Sequence, residues 1–521
     1  MRGDTIVAVG SHGEAAGAVS AAAEIVDLGG NTLLPGLIDS HVHPVEGGRM
    51  LRAADAGGKI VSVVGLAAFA SEALKTGRGV RGDVLEIVGV PLSAWSHVNE
   101  LNRRFNEGAF ASRAVFLFGL DGHTGWANRT MRQKARLDRA FLAQLSEAER
   151  KNYGVDTDGN PQGFVMEAGV GVVRRAIPRP SERDVIENGR VGIQHLHSFG
   201  ITSWIDAGAR RGILAIYRAL AARGHLTGRV AAFVPLNPDS AQLDAEQLQQ
   251  ALALRKEFSG VSGLTVSGVK VFADGVAEHP AQTAAMSTPY LGTGGKRGDL
   301  LFAPRQFADV CTRADREKLI VHVHAIGDRA VTEALNGIEA ARNANGNSGL
   351  PHTITHLQFI HPADFPRFRQ LGVVAAFQLL WASAGADTID LVQPYVVPEI
   401  YRWQYPARSL LHAGAIVAGG SDWFVSSPNP FEAMCQAGTR RGPKGVLDSN
   451  QRMPREAMLY AYTRNAAMAM NQLGRVGSIE VGKKADLTLV DGDVLTIPAV
   501  DLKKVRVVWT MVGGKAIYRA R

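Results

Sequence analysis

The sequence predicts a (β/α)8 barrel of the TIM type, with a small β-sandwich domain built from both ends of the chain and a large insertion after barrel strand 1. Eight strand-like runs occur along the chain, and from about residue 190 segments with helical spacing separate most of them. Strands and helices that alternate in this number are typical of a closed parallel barrel. An irregular stretch at about residues 50–190 and a tail rich in β-branched residues and Gly predict the other two parts.

The barrel strands and helices follow from apolar runs and their spacing. The first strand is predicted at 33–42, an apolar run with Pro35 and Gly36 near its start. Within the insertion, residues 135–152 have the spacing of a helix. The other strands are expected at 201–206, 229–236, 264–273, 319–324, 352–357, 372–379 and 415–419. Helices are expected at 213–223, 241–258, 304–318, 330–344, 362–370 and 455–473.

The small domain is predicted from residues 1–30 and 474–521, which enclose the barrel at 31–473. Residues 5–9 and 24–27 have the character of short strands, and Asp491-Gly492 and Gly513-Gly514 are turn candidates in the tail.

Composition limits the classes of partner. The 521 residues carry a net charge of +8, but the basic pairs are scattered and form no stripe for nucleic acid. Two cysteines are too few for a disulfide framework, and the N-terminus lacks the pattern of a signal peptide. The longest uncharged apolar run, 371–386, is too short to span a bilayer. We expect a cytoplasmic protein with a small-molecule substrate and neither nucleic acid nor membrane as partner, with a homodimer left open.

Metal-binding side chains occur at or near the ends of five predicted strands. The candidates are His41, His43, Lys270, His324, His356 and Asp422. His41 and His43 alternate by two, so both side chains point the same way, either as ligands of one ion or as a hydrogen-bonded pair. A buried, unpaired lysine is costly in the apolar strand around Lys270, which favours a modified or paired role.

These candidates lie within a set of motifs that resembles the amidohydrolase superfamily, in particular the YtcJ-like branch of amidohydrolase family 3. The resemblance covers nearly the whole chain. The motifs are LLPGLIDSHVHP (33–44), FLFGLDGHTGWANR (116–129), GITSWIDAG (200–208), VKVFADG (269–275), VHAIGDRAV (323–331), ITHLQ (354–358), AGGSDW (418–423) and GSIEVGKKADLTLVDGD (477–493).

The resemblance implies a role for each candidate. The two first-strand histidines would hold the more buried ion, and Lys270 would be carboxylated and bridge two ions. His324 and His356 would hold the second ion. Asp422 would bind the first ion and take the proton of the attacking water. The donors favour zinc, with one or two ions bound, and leave iron, manganese and cobalt open. His322 shares a face with His324, and we expect it one layer deeper as a packed or supporting residue.

Further residues are candidates for a supporting or substrate-binding role. In the resembling branch the segment with His123 and Trp126 reaches over the barrel mouth, so His123 is a candidate substrate contact or oxyanion donor, with a loop histidine as the alternative. Trp95, with His97 and Trp381, would line the pocket unless these side chains only pack. Asp274 and Asp328 are expected either to orient a ligand or to sit in surface turns.

The resemblance implies a metal-dependent hydrolase that cleaves a non-peptide amide-type C–N bond of an N-acyl or N-formyl compound. Two alternatives remain: the same site acting on a lactone, carbamate or phosphoester, and a metal-free relative without activity. Members of this branch usually have further strands before the segment like GDTIVAVG, which begins here at Gly3. We therefore expect an internal start or a reduced small domain, and a stability lower than that of an N-terminally extended form.

Overall fold

A computed structural model describes residues 1–17, 23–60, 62–120, 123–237, 245–279 and 281–520. The chain forms two compact units, one made of Met1–Gly47 with Gly189–Arg521 and the other of Gly48–Asn188. In the part of the chain that the structure describes, every helix is too short or too polar to cross a bilayer.

The first unit contains an eight-stranded parallel sheet, which confirms the predicted barrel fold. Barrel strands 1 to 8 are Leu37–Val42, Ile201–Asp206, Arg229–Pro235, Leu264–Phe272, Ile320–Ala325, Thr353–His356, Val374–Phe377 and Ile416–Gly419. Each strand pairs with its neighbour in sequence. Strands 1 and 8 meet where Ser40 Oγ donates to Gly419 O at 2.8 Å and Asp422 N donates to His41 O at 2.8 Å. The carboxyl ends of all eight strands therefore lie on one rim.

Helices follow most barrel strands, as the alternating pattern predicts. In the first unit and at its borders they are His12–Gly17, Pro44–Leu51, Glu182–Ser198, Arg211–Ala222, Ala245–Glu257, Pro304–Arg316, Asp328–Asn345, Phe365–Leu371, Pro398–Tyr401, Ala407–His412, Pro430–Thr439, Arg455–Ala461 and Arg464–Ala469. The segment expected as one helix at 455–473 contains two, and the predicted start of the helix at 241–244 lies outside the described residues.

The run predicted as one strand at 33–42 is divided at Gly36. Thr32–Pro35 joins a small antiparallel sheet, while Leu37–Val42 is barrel strand 1. Gly36 N donates to Asp486 O at 2.8 Å, and a Cβ at this position would lie 2.3 Å from Thr202 Oγ1. Only glycine fits so close to strand 2, so the chain changes sheets at this residue.

The small domain predicted from both ends of the chain is a four-stranded antiparallel sheet. Its strands are Thr32–Pro35, Leu487–Val490, Val507–Val512 and Lys515–Arg519. Residues 5–9 and 24–27, expected as strands, show only isolated bridges in the described structure, from Thr5 to Arg2 and to Lys484. Arg229 of barrel strand 3 pairs with Asp486 through two hydrogen bonds of 2.6 and 3.0 Å.

The second unit corresponds to the predicted insertion and has its own sheet. The strands are Ala54–Asp55, Val80–Arg81, Val84–Val90, Ala114–Gly119, Thr124–Ala127, Tyr153–Val155 and Pro161–Met166. The helices are Val63–Thr76, Val98–Phe105, Arg129–Lys134, Arg139–Ala143, Glu147–Arg150 and Ala168–Arg175. The single helix expected at 135–152 is replaced by the pair at 139–143 and 147–150, because Ser146 forms a capping box with Glu149 that begins a new helix.

Candidate metal centre

Three predicted ligands meet where barrel strands 1 and 8 end. His41 lies on strand 1, His43 follows it directly, and Asp422 lies three residues beyond strand 8. Asp422 Oδ1 is 3.1 Å from His43 Nε2 and 3.5 Å from His41 Nε2. One ligand atom from each residue lies within 4.8 Å of the other two. Two imidazoles and a carboxylate at this spacing are a donor set for a divalent ion.

A buried carboxylate supports this arrangement from below. Asp39 Oδ1 accepts hydrogen bonds from the backbone N–H of His41 and of Ser421, both at 3.0 Å. Its Oδ2 accepts from Ser421 Oγ at 2.6 Å. Burial raises the pKa of Asp39 to about 7, although these three hydrogen bonds act to lower it. Asp39 therefore joins the end of strand 1 to the loop that carries Asp422.

Lys270 lies inside the barrel on strand 4 and is almost completely buried. Its Nζ is 3.5 Å from His41 Nε2. Burial lowers the pKa of Lys270 to about 7, although the charge of Asp422 opposes this change. A substantial fraction of the amine is therefore neutral near neutral pH, which is the form that can be carboxylated.

His324 and His356 lie next to each other on strands 5 and 6, with ring centroids 4.4 Å apart. His324 Nε2 donates to Gly275 O at 2.9 Å, so in the neutral ring Nδ1 is the nitrogen with the lone pair. His356 has a positive φ of 77° at the end of its strand, and its buried Nδ1 has no hydrogen-bond partner among the described residues. Burial lowers the pKa of His324 to about 3 and that of His356 well below its usual value. Both imidazoles are therefore neutral, as metal ligation requires.

His322 lies below the candidate ligands and contacts His41. It is fully buried, and its Nε2 is 2.7 Å from His41 Nδ1. This contact directs His41 Nε2 toward Asp422 and Lys270, so His322 holds the deeper, supporting position predicted for it.

Comparison with known proteins gives matches that extend over nearly the whole chain. A model described as the amidohydrolase family matches residues 24–518. The chain belongs to the amidohydrolase family. The resemblance stated from the motifs is thus confirmed.

Relatives of this amidohydrolase match along most of their own length. N-substituted formamide deformylase of Arthrobacter pascens is 24% identical, over 99% of this chain and 94% of the relative. Protein LONG AFTER FAR-RED 3 of Arabidopsis thaliana is 28% identical over 99% and 88%. The putative amidohydrolase YtcJ of Bacillus subtilis is 22% identical over 95% and 90%.

The fold of the amidohydrolase is also found in a solved structure. An uncharacterized metal-dependent hydrolase from Pyrococcus horikoshii superposes with a TM-score of 0.72 at 23% identity. The match covers 96% of this chain and 94% of that one.

The three predicted substrate contacts of the amidohydrolase lie in its second unit. Trp126 is fully buried against Phe105, with ring centroids 5.9 Å apart, which disfavours the contact predicted for it. Trp95 is half-buried, and its indole N–H donates to Thr124 Oγ1 at 2.8 Å. His123 is exposed and pairs with Glu167 at 3.2 Å, while residues 121 and 122 of the same motif lie outside the described residues. The substrate contacts of Trp95 and His123 stay predictions.

Asp274 and Asp328 are both buried, which excludes the alternative of surface turns. Asp274 accepts hydrogen bonds from the backbone N–H of Ala285, Ile326 and Gly327. Burial raises its pKa to about 7. Asp328 accepts from the backbone N–H and the hydroxyl of Ser287. Both carboxylates fix the loop after strand 4 against the end of strand 5, next to His324.

Two buried acids beside the centre, Asp39 and Asp206, were not singled out from the sequence. Asp206 ends barrel strand 2 and accepts a hydrogen bond of 2.6 Å from Tyr217 Oη. Burial raises the pKa of Asp206 to about 6, and its charge acts on His43. The sequence offered one signal for Asp206, which is that an acidic residue ends a predicted barrel strand.

Proposed function

We propose that this amidohydrolase cleaves the amide-type C–N bond of a small N-acyl or N-formyl compound and uses one or two divalent ions, preferably zinc. The observation that carries the proposal is the position of Asp422, whose Oδ1 faces Nε2 of both His41 and His43 at the barrel rim. One carboxylate can there bind an ion and also exchange a proton with substrate. The similarity to an N-substituted formamide deformylase supports the same class of bond.

The donor chemistry fits a divalent ion at this place. His41, His43 and Asp422 would hold the first ion. His324 and His356, both neutral, would hold a second ion together with Lys270. For that role the neutral Lys270 amine attacks carbon dioxide and releases one proton, which gives a carbamate with two donor oxygens and a negative charge.

The protein side chains supply the proton transfer and the positioning. A bound ion supplies Lewis acidity, which lowers the pKa of water and polarises a carbonyl group. Asp422 accepts the proton of the attacking water through its carboxylate and then delivers this proton to the leaving nitrogen, so that the amine leaves uncharged. His322 holds His41 in place during both transfers.

The test combines metal analysis with a substrate panel. Purified protein is analysed for bound metal and assayed with N-formyl and N-acyl amides, lactones, carbamates and phosphoesters. Chelator-sensitive hydrolysis of the amides supports the proposal. The proposal is contradicted if only the lactones, carbamates or phosphoesters are hydrolysed. It is also contradicted if the protein is folded and metal-free and cannot be loaded with a divalent ion.

A further inference from the structure

We infer that the substrate of this site carries a planar apolar group next to its amide, and that three aromatic side chains determine this specificity. They are Phe272, Trp381 and Phe424, here called the aromatic wall. The inference rests on the proposed amide hydrolysis and deepens it by naming a substrate class.

Phe272 projects into the barrel mouth above Lys270. The two residues alternate by two on strand 4, so their side chains share the inner face. Lys270 Nζ lies 5.0 Å from the centroid of the Phe272 ring. Strand register pairs Phe272 with His324, and their ring centroids are 5.3 Å apart. Phe272 nevertheless keeps 37% of its surface exposed, so a large apolar face borders the candidate ligands and is open to substrate.

Trp381 adds a second ring beside the same histidines. It follows strand 7 and stacks on His356 with an interplanar angle of 5° and centroids 5.6 Å apart. Its side chain is only half-buried. Part of a planar ring therefore stays exposed directly beside the candidate ligand His356.

Phe424 borders the centre on the side of Asp422. It lies two residues beyond Asp422, and its ring contacts His43 with centroids 6.4 Å apart. Phe424 is 41% exposed and its neighbour Val425 is 62% exposed. Strands 8 and 4 are far apart around the eight-stranded barrel, so the aromatic wall borders the ligands from both sides.

Exposed apolar surface of this kind beside candidate metal ligands marks a recognition surface. These rings should favour a planar group in the substrate, because two aromatic rings in stacked or edge-to-face contact attract each other more strongly than their buried area alone predicts. Asp422 delivers its proton to the leaving nitrogen, which places a substituent on nitrogen beside Phe424. An acyl substituent would then lie toward Phe272 and Trp381.

The test uses two series of matched amides. In the first series the acyl group that is active in the panel is kept, and the nitrogen carries methyl, cyclohexylmethyl or benzyl. In the second series the amine is kept, and the acyl group is acetyl, cyclohexylacetyl or phenylacetyl. We expect kcat/KM for the ring-bearing member to exceed that of the methyl member by about tenfold or more in at least one series, with the planar ring above cyclohexyl.

Variants assign the preference to the aromatic wall. Phe424→Ala should remove a preference seen in the first series, and Phe272→Ala one seen in the second. Phe272→Leu and Phe424→Leu keep apolar area but lose the planar face, so these variants should retain only part of the preference for the ring-bearing amides. Phe365→Ala is the matched control, because this half-buried ring packs on Trp403 at 5.4 Å, away from the ligands.

The outcomes separate this inference from the proposed function. Equal kcat/KM along both series in the wild type, or a preference that every variant retains, overturns the inference while amide hydrolysis stands. If no amide is turned over, the proposed function fails. Thermal stabilisation by the benzyl and methyl amides then tests the aromatic wall without turnover, and equal stabilisation by both overturns it.

Discussion

At the scale of single residues, the centre depends on which nitrogen of each histidine its neighbours leave free. His322 contacts Nδ1 of His41, so this candidate ligand presents Nε2. The carbonyl group of Gly275 accepts from Nε2 of His324, so this candidate ligand presents Nδ1. Such partners fix the ring orientation and the tautomer of a metal-ligating histidine.

Asp422 carries both proton transfers of the proposed reaction. In Asp422→Asn an oxygen remains for an ion, but the amide cannot accept the proton of water. We expect kcat to fall by about 10²- to 10⁴-fold with most of the metal retained. Steady-state kinetics with metal analysis of the same sample tests this. A fully active variant would remove Asp422 from the mechanism.

His322 is expected to govern metal affinity through His41. His322→Phe removes the 2.7 Å contact and leaves His41 Nδ1 without a partner. We expect metal affinity to fall by about 10- to 100-fold, as measured by competition with a chelator. His412→Phe, at an exposed position on an outer helix, is the matched control. Equal affinities in both variants would show that His322 only packs.

The sequence predicted the ligand candidates because they end short apolar runs, where barrel sites lie. It could not pair His41 with His322, since that contact depends on how strand 1 faces strand 5 across the barrel. The burial of Trp126 could not be predicted either. Thr124–Ala127 is an inner strand of the second sheet, and the irregular pattern of residues 50–190 gave no sign of that sheet.

At the scale of elements, the barrel is held closed at the junction of strands 1 and 8, where Asp39 joins the end of strand 1 to the loop that carries Asp422. The alternation of strands and helices predicted this junction, because in a closed barrel of eight parallel strands the eighth strand lies next to the first. The break at Gly36 was not predicted, since the apolar run is continuous across it. Its cause is the close approach of Thr202, a residue that lies far away in sequence.

Asp39 is expected to contribute to both stability and site geometry. Asp39→Ala leaves two backbone N–H groups and the Ser421 hydroxyl without their acceptor, and we expect a loss of about 2–4 kcal/mol in the free energy of unfolding. Asp39→Asn should lose less, because its carbonyl oxygen still accepts and the Ser421 hydroxyl can accept from the amide. Denaturant titrations measure both, and equal losses would contradict this account.

At the scale of the whole molecule, a buried histidine couples folding to pH. His197 is fully enclosed, with Nδ1 2.8 Å from Ile201 O and Nε2 2.8 Å from Thr227 Oγ1. Burial lowers the pKa of His197 from 6.5 to about 4. Between these values the unfolded chain binds a proton that the folded chain does not, so the folded state loses stability as the pH falls.

The expected size of this effect is about 3 kcal/mol between pH 7 and pH 4, from a shift of the pKa by about 2.5. His197→Asn removes the titrating ring, so its free energy of unfolding should fall less over the same range. Urea titrations at several pH values measure the difference. The variant His412→Asn should follow the wild type, and a parallel decline in His197→Asn would assign the acid sensitivity to other groups.

The change of sheets at Gly36 also has a consequence for synthesis of the protein. His41 and His43 emerge early from the ribosome. The strand Thr32–Pro35 just before them must wait for its sheet partners, because these are the late strands Leu487–Val490, Val507–Val512 and Lys515–Arg519. Asp422 and barrel strand 8 also arrive late. The candidate metal centre can therefore form only after barrel strand 8 and Asp422 have been translated, hundreds of residues after His41 and His43.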